Sequence, residues 1–250
     1  MNALNGELHW VKGRFNYSYI LVGESLVVID VDFPSVVPKI ISYVQGKLKR
    51  RISDIKLIIA THWHIDHIAG IDELVNKTNA QLGAHPIVQS YYLKENSVSL
   101  LSFPEVIRSA VFVPQEHFSF PSFKDLFSMP LAGLPLPIPF IERNRIQTEL
   151  TYLLDDGQTV PYCKGWKIIH TPGHTKDSLC LYNEQHEALI AGDVLIHRGG
   201  MIRENTDVLI WDKSQYRETI KKLQCLKVRY VFPAFGGPIP GFEGWVSLEK

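Results

Sequence analysis

The chain has 250 residues, 45 % of them apolar and 21 % charged, and its 26 basic side chains balance 26 acidic ones. That length buries a full core in one large domain or two small ones, and zero net charge argues against nucleic acid or an anionic membrane as main partner, since both select a basic excess. Three scattered cysteines with no C-x-x-C pair fit reduced thiols and a cytoplasmic setting; the opening MNALNGELHWVKGRF lacks the apolar segment of a secretion signal, and no apolar run reaches the roughly 18 residues of a membrane span.

In chain order, YSYILVG and SLVVIDV are short β-branched runs parted by Gly23 and Glu24, which predicts a hairpin. VVPKIISYVQGKLK predicts a helix opened by Pro34 and Ser35. IKLIIAT is a continuous apolar strand of the kind buried on both faces. Residues 67–78 have helical spacing and stop at Asn76–Asn79, and AQLGAH predicts a further strand. A second series follows: strands at WKIIHT, SLCLY and ALIAGDV, a helix over KSQYRETIKKLQCL, and a strand at YVFPA. Alternating strands and helices in both halves predict a layered α/β (α+β) chain whose halves resemble each other in outline.

Residues 86–150 break that alternation. FSFPSFKDLFSMPLAGLPLPIPFIERN is dense in Phe, Leu and Pro, and its prolines exclude one long helix. A structureless loop of this length is unusual inside a compact domain. The stretch reads as an insertion at about 86–150, helical or irregular, that is either a lid or substrate wall near a cleft or a packing and dimer contact.

The densest chemistry lies in IIATHWHIDHIAG, residues 58–70. His62 and His64 are two apart at a strand end, so their side chains share a face. Asp66 and His67 follow where the chain turns into a helix, whose N-terminus favours a carboxylate. Imidazole and carboxylate together suit Zn, Fe or Mn. Three ligands from one loop rarely complete a site. HTPGHTKDS offers His174 after a Pro-Gly turn, and LIAGDVLI offers Asp193 at the end of another apolar strand, with Gly192 before it allowing close backbone approach.

THWHIDH, TPGHT and AGD, with the early VVID strand and the closing VFPAFGGP, together resemble the metallo-β-lactamase superfamily over most of the chain. The resemblance implies one domain over 1–250 with a four-layered αβ/βα sandwich and a metal site at one edge between its halves. It implies a first metal on His62, His64 and His174, a bridging Asp193, and a second metal on Asp66, His67 and a histidine of the late loop. That loop here reads FPAFGGP, with Phe235 at the expected histidine. The first site is therefore expected to be well occupied by zinc, with iron or manganese as alternatives. The second is expected to be partial, altered, or rescued by Asp32 or His197. Phe235 would instead present an apolar surface to substrate. Asp32 stands where the family has glycine after the VVID strand and is either a turn residue or a group that reaches the site. His170 is a candidate to orient a neighbour, His85 and His117 lie near or within the insertion, Tyr91 and Tyr92 fit packing or a pocket wall, and Cys180 fits a buried apolar position.

The family's members act on lactams, lactones, thioesters, phosphodiesters and RNA, and some are oxygenases. A metal-activated water, with Asp66 to orient or deprotonate it, implies hydrolysis. The apolar insertion favours a small-molecule ester, lactone or thioester. The alternatives are a mononuclear iron oxygenase, for which two histidines and a carboxylate suffice, and a member that binds metal or ligand without turnover. A homo-oligomer is left open.

Overall fold

A computed structural model describes residues 2–92, 146–205 and 210–238. Its first sheet runs β1 (Asn2–Ala3), β2 (Leu8–Lys12), β3 (Tyr17–Val22), β4 (Leu26–Ile29), β5 (Ile55–Ile59), β6 (Gln81–Ala84) and β7 (Leu150–Leu153), in that spatial order. The first four strands pair antiparallel, and β4 to β7 pair parallel. The second sheet has the order β13 (Tyr230–Pro233), β10 (Ala188–Gly192), β9 (Leu179–Asn183), β8 (Lys167–His170). A separate hairpin joins β11 (Leu195–Arg198) to β12 (Met201–Glu204) through Gly199 and Gly200, whose φ angles of 61° and 74° suit a primed turn.

Alternation along the strands sorts side chains into layers. Val27, Ile29, Leu57 and Ile59 of the first sheet meet Leu179, Leu181, Ile190 and Phe232 of the second in one apolar cluster. Val28 and Ile58, pointing the other way, pack with Ile40 and Val44 of α1 (Val37–Gly46) and Leu74 of α3 (Ile71–Thr78). On the far side, Cys180 and Tyr182 meet Tyr216, Ile220 and Leu223 of α5 (Lys213–Gln224). The order is helix, sheet, sheet, helix: the four-layered αβ/βα sandwich. Each fully buried Leu or Ile in it contributes about 1.5–3 kcal/mol. Among the described residues no helix is long and apolar enough to cross a membrane.

The structure corrects one expected element. The helix expected over 67–78 is two: α2 (Ile65–Ile68) and α3. Gly70 separates them because a side chain there would press into Val31 and the Phe33 backbone, and its N–H bonds the carbonyls of Val31 and Asp32. Asn79 then ends α3 in the left-handed region, at φ 56°. The insertion expected up to residue 150 already rejoins the sheet there, as β7 pairs with β6 from Leu150. Residues 93–145, which carry most of that insertion and His117, lie outside the described residues. Its first end, with α4 (Val88–Tyr92), leaves β6 at the sheet edge to which the parallel β4 and β5 also point.

Candidate metal centre

Four strand ends converge at that edge. Asp30 follows β4 in the left-handed region, at φ 57°, and is 1 % exposed. Its carboxylate accepts the backbone N–H of Thr61 at 2.7 Å, the Thr61 hydroxyl at 2.8 Å, and lies 2.8 Å from His67 Nδ1. One buried carboxylate thus fixes the strand end that leads to His62 and the ring of His67. A second carboxylate, Asp32, belongs to neither group of converging donor atoms at this edge. It accepts backbone N–H groups of Arg14 and Phe15 and holds the loop before β3. Burial raises its pKa to about 7.

The loop after β8 carries His174. Gly173, at φ 135°, lies against the Tyr216 backbone so closely that any side chain would collide with it. Thr175 and Ser178 close the loop through their hydroxyls, 2.7 Å apart. Gly192, at φ 51°, lets the end of β10 press on Thr61 and aims the following Asp193 inward.

The nitrogens His62 Nε2, His64 Nδ1 and His174 Nε2 stand 3.1, 3.2 and 3.2 Å apart. An ion with tetrahedral bonds of 2.0–2.1 Å separates its ligand atoms by about 3.3–3.4 Å. Three imidazole nitrogens converging on one point cannot all be one another's hydrogen-bond partners, since each neutral nitrogen offers one lone pair or one N–H. The donor set and spacing therefore fit a divalent metal. Burial, then the rings of His67, His64 and His174, push the pKa of His62 well below the ordinary value, which keeps it neutral and ready to ligate.

His62, His67 and Asp193 form a second group, with donor atoms within 4.8 Å of one another. His62 already turns Nε2 to the first position and Nδ1 toward the Thr61 hydroxyl at 3.2 Å, so the second position depends on His67, Asp193 and what stands beside them. Asp193 Oδ1 is 3.4 Å from His67 Nε2, and Asp66 Oδ2 is 3.9 Å from it. Burial opposes ionisation of Asp193, but the charges of His67, His174 and His64 outweigh it and hold the carboxyl at about 2. Burial also opposes protonation of His67, and Asp30, Asp193 and Asp66 overcome it, raising that pKa well above normal.

Of the residues singled out from sequence, His62, His64, His67, His174 and Asp193 come together, and Asp66 sits at their margin with its side chain one-third exposed. His197 directs Nδ1 to the Gly236 carbonyl at 3.0 Å and its N–H to the Phe235 carbonyl at 3.1 Å, bracing the late loop. His170 and His85 stack at 4.0 Å, with His170 Nε2 on the Lys176 carbonyl. Sequence reasoning passed over Asp30, Asn16, Asp177 and Trp211. Asp30 carried a usable signal, an acid ending an apolar strand as Asp193 does. Tyr91 donates to the buried Asp177 at 3.2 Å. Trp211, 46 % exposed, hangs beside the metal loop, its N–H on the His174 carbonyl and Lys176 over its ring.

Known proteins share the fold. A curated Caenorhabditis elegans protein, beta-lactamase-like protein 2 homolog, is 23 % identical over 88 % of this chain and 55 % of its own length. An Aspergillus fumigatus atrochrysone carboxyl ACP thioesterase is 22 % identical over 78 % of this chain and 42 % of its own. The chain spans about half the length of these relatives. The solved BLEG-1 B3 metallo-beta-lactamase shares the fold at a TM-score of 0.62 and 17 % identity, over 93 % of each chain. The model of the metallo-beta-lactamase superfamily matches residues 11–234, which span every strand end just described, and the chain belongs to that superfamily.

Proposed function

We propose that this chain is a metal-dependent hydrolase of an ester, lactone or thioester with an apolar acyl portion. The observation that carries it is the triangle of His62, His64 and His174 nitrogens, a three-ligand set with its fourth position free for water or substrate. A bound divalent ion supplies an activated water and polarises the scissile carbonyl. Asp66, one-third exposed and fixed by the Asn16 amide at 2.9 Å, is placed to orient that water and take up its proton. Asp30 and Thr61 keep the ligand loop in place while charge shifts at the site. Trp211, whose backbone N–H bonds the His174 carbonyl and whose indole is 46 % exposed, offers an apolar surface for an acyl chain. The thioesterase name of the Aspergillus fumigatus relative supports the same substrate class.

The test is thiol release from acyl thioesters of graded chain length, with esters, lactones and a phosphodiester beside them. Carbonyl substrates should be cleaved by the zinc-loaded protein, and the chelated protein or His174→Ala should lose that activity. Cleavage of the phosphodiester alone, or oxygen uptake by the iron-loaded protein without hydrolysis, would contradict the proposal.

A further inference from the structure

The second metal position lacks the histidine that the late loop would supply, and a residue from the opposite side of the chain stands in its place. Asn16, 1 % exposed, forms an isolated β-bridge with Phe235, and the next residue, Tyr17, donates its N–H to the Ala234 carbonyl at 2.9 Å. Its amide nitrogen lies 2.9 Å from His67 Nε2, 2.9 Å from Asp66 Oδ2 and 3.1 Å from the Asp66 carbonyl. Three polar partners thus crowd one amide nitrogen that carries two hydrogens. Its Oδ1 is buried with no hydrogen-bond partner among the described residues.

We infer that Asn16 is a ligand of the second metal position, through its amide oxygen, replacing the absent histidine. The inference rests on the metal-dependent reading of the site. The amide end lies 2.9 Å from both Asp66 Oδ2 and His67 Nε2, which are themselves 3.9 Å apart, so the three groups stand close enough that one ion could be held among them. Without a cation the amide N–H end faces the Asp66 carboxylate and the His67 ring. A cation between them satisfies both, and the end of Asn16 that must then face inward is the oxygen. Half a turn of the planar amide exchanges the two atoms at nearly the same place. The Asp32 carboxylate, which pins the Arg14 and Phe15 backbone, is the device that holds Asn16 there. A set of one imidazole with amide and carboxylate oxygens is harder than the triple imidazole beside it, so the second position should favour manganese relative to the first.

The experiment is titration of the chelator-stripped full chain with Zn²⁺ and with Mn²⁺ by calorimetry and native mass spectrometry, for wild type, Asn16→Ala, Asn16→Leu and Asn16→Asp, with circular dichroism confirming the fold. The wild type should bind a second ion more weakly than the first. Alanine and leucine should weaken that second step by about 10–100-fold, the scale of a lost supporting group, and leave the first unchanged. Aspartate, which keeps an oxygen in place, should retain or tighten it. If alanine and leucine leave the second step unaltered or tighten it, the amide only caps the position and the inference fails. Absence of a second step in the wild type overturns it equally. Absence of both steps would defeat the metal-dependent reading itself, so the two failures are distinct.

Discussion

The two metal positions lie side by side and are built differently. The first would take three imidazoles from two loops, each held by its own local contacts: the Thr61 N–H on the Asp30 carboxylate, the Thr175 and Ser178 hydroxyls on each other, and Gly173 packed against the Tyr216 backbone. The second takes one imidazole, carboxylates at 3.4 and 3.9 Å from it, and an amide brought in from the loop before β3. Identical strand-end architecture thus yields a self-sufficient site and one that depends on a distant loop.

The largest expected effect breaks the first position. His64→Ala or His174→Ala should remove its ion and lower hydrolysis on the order of 10³-fold, about 4 kcal/mol, measured as kcat/KM with metal content in parallel. Phe235→His attacks the asymmetry from the other side. It returns an imidazole to the late loop and should tighten the second ion by about 10–100-fold, read by calorimetry, with no change in the first. Asp30→Asn should weaken the second ion by a similar factor, because the carboxylate that orients His67 loses its charge. It should also cost about 1–3 kcal/mol of stability by setting an amide N–H against the Thr61 donors, measured by urea unfolding. A smaller effect concerns only the first position's rim. Trp211→Ser should raise KM for long acyl substrates about fivefold, near 1 kcal/mol of lost apolar burial, and leave short ones unchanged.

The smallest effect lies outside both positions. Burial, then the charge of His170 stacked on it, lowers the pKa of His85 from 6.5 to about 4. A depressed folded pKa means the unfolded chain binds the proton first. The stability contributed by the neutral ring is therefore complete above pH 6.5 and is lost as pH falls through about 4. In metal-free protein, His85→Gln should flatten the fall of unfolding free energy across that window relative to wild type.

The first position was legible in sequence because its ligands follow two apolar strands, β5 and β8, one from each sheet, whose ends converge. His62, His64 and His174 needed only local pattern and the resemblance. The buried strands were legible for the same reason, as runs such as IKLIIA. Asn16 was not, since GRFN has no periodicity and its role comes from a bridge to Phe235 more than two hundred positions away. Trp211 was hidden by its place in a loop, next to the Asp212 cap of α5. β7 was missed because its four residues alternate in exposure at the edge of the sheet and carry no continuous apolar run. Asp32 was visible as an oddity, but only the contacts with Arg14 and Phe15 show that it holds the loop.

The asymmetry of the two positions is tested most directly by titrating chelator-stripped wild-type protein with zinc and counting ions per chain by native mass spectrometry while hydrolysis is followed in the same samples. Two resolved steps, separated by tenfold or more, with His174→Ala abolishing the tighter one, is the expected result. Two ions entering in one unresolved step, or a tighter step that survives His174→Ala, would contradict it.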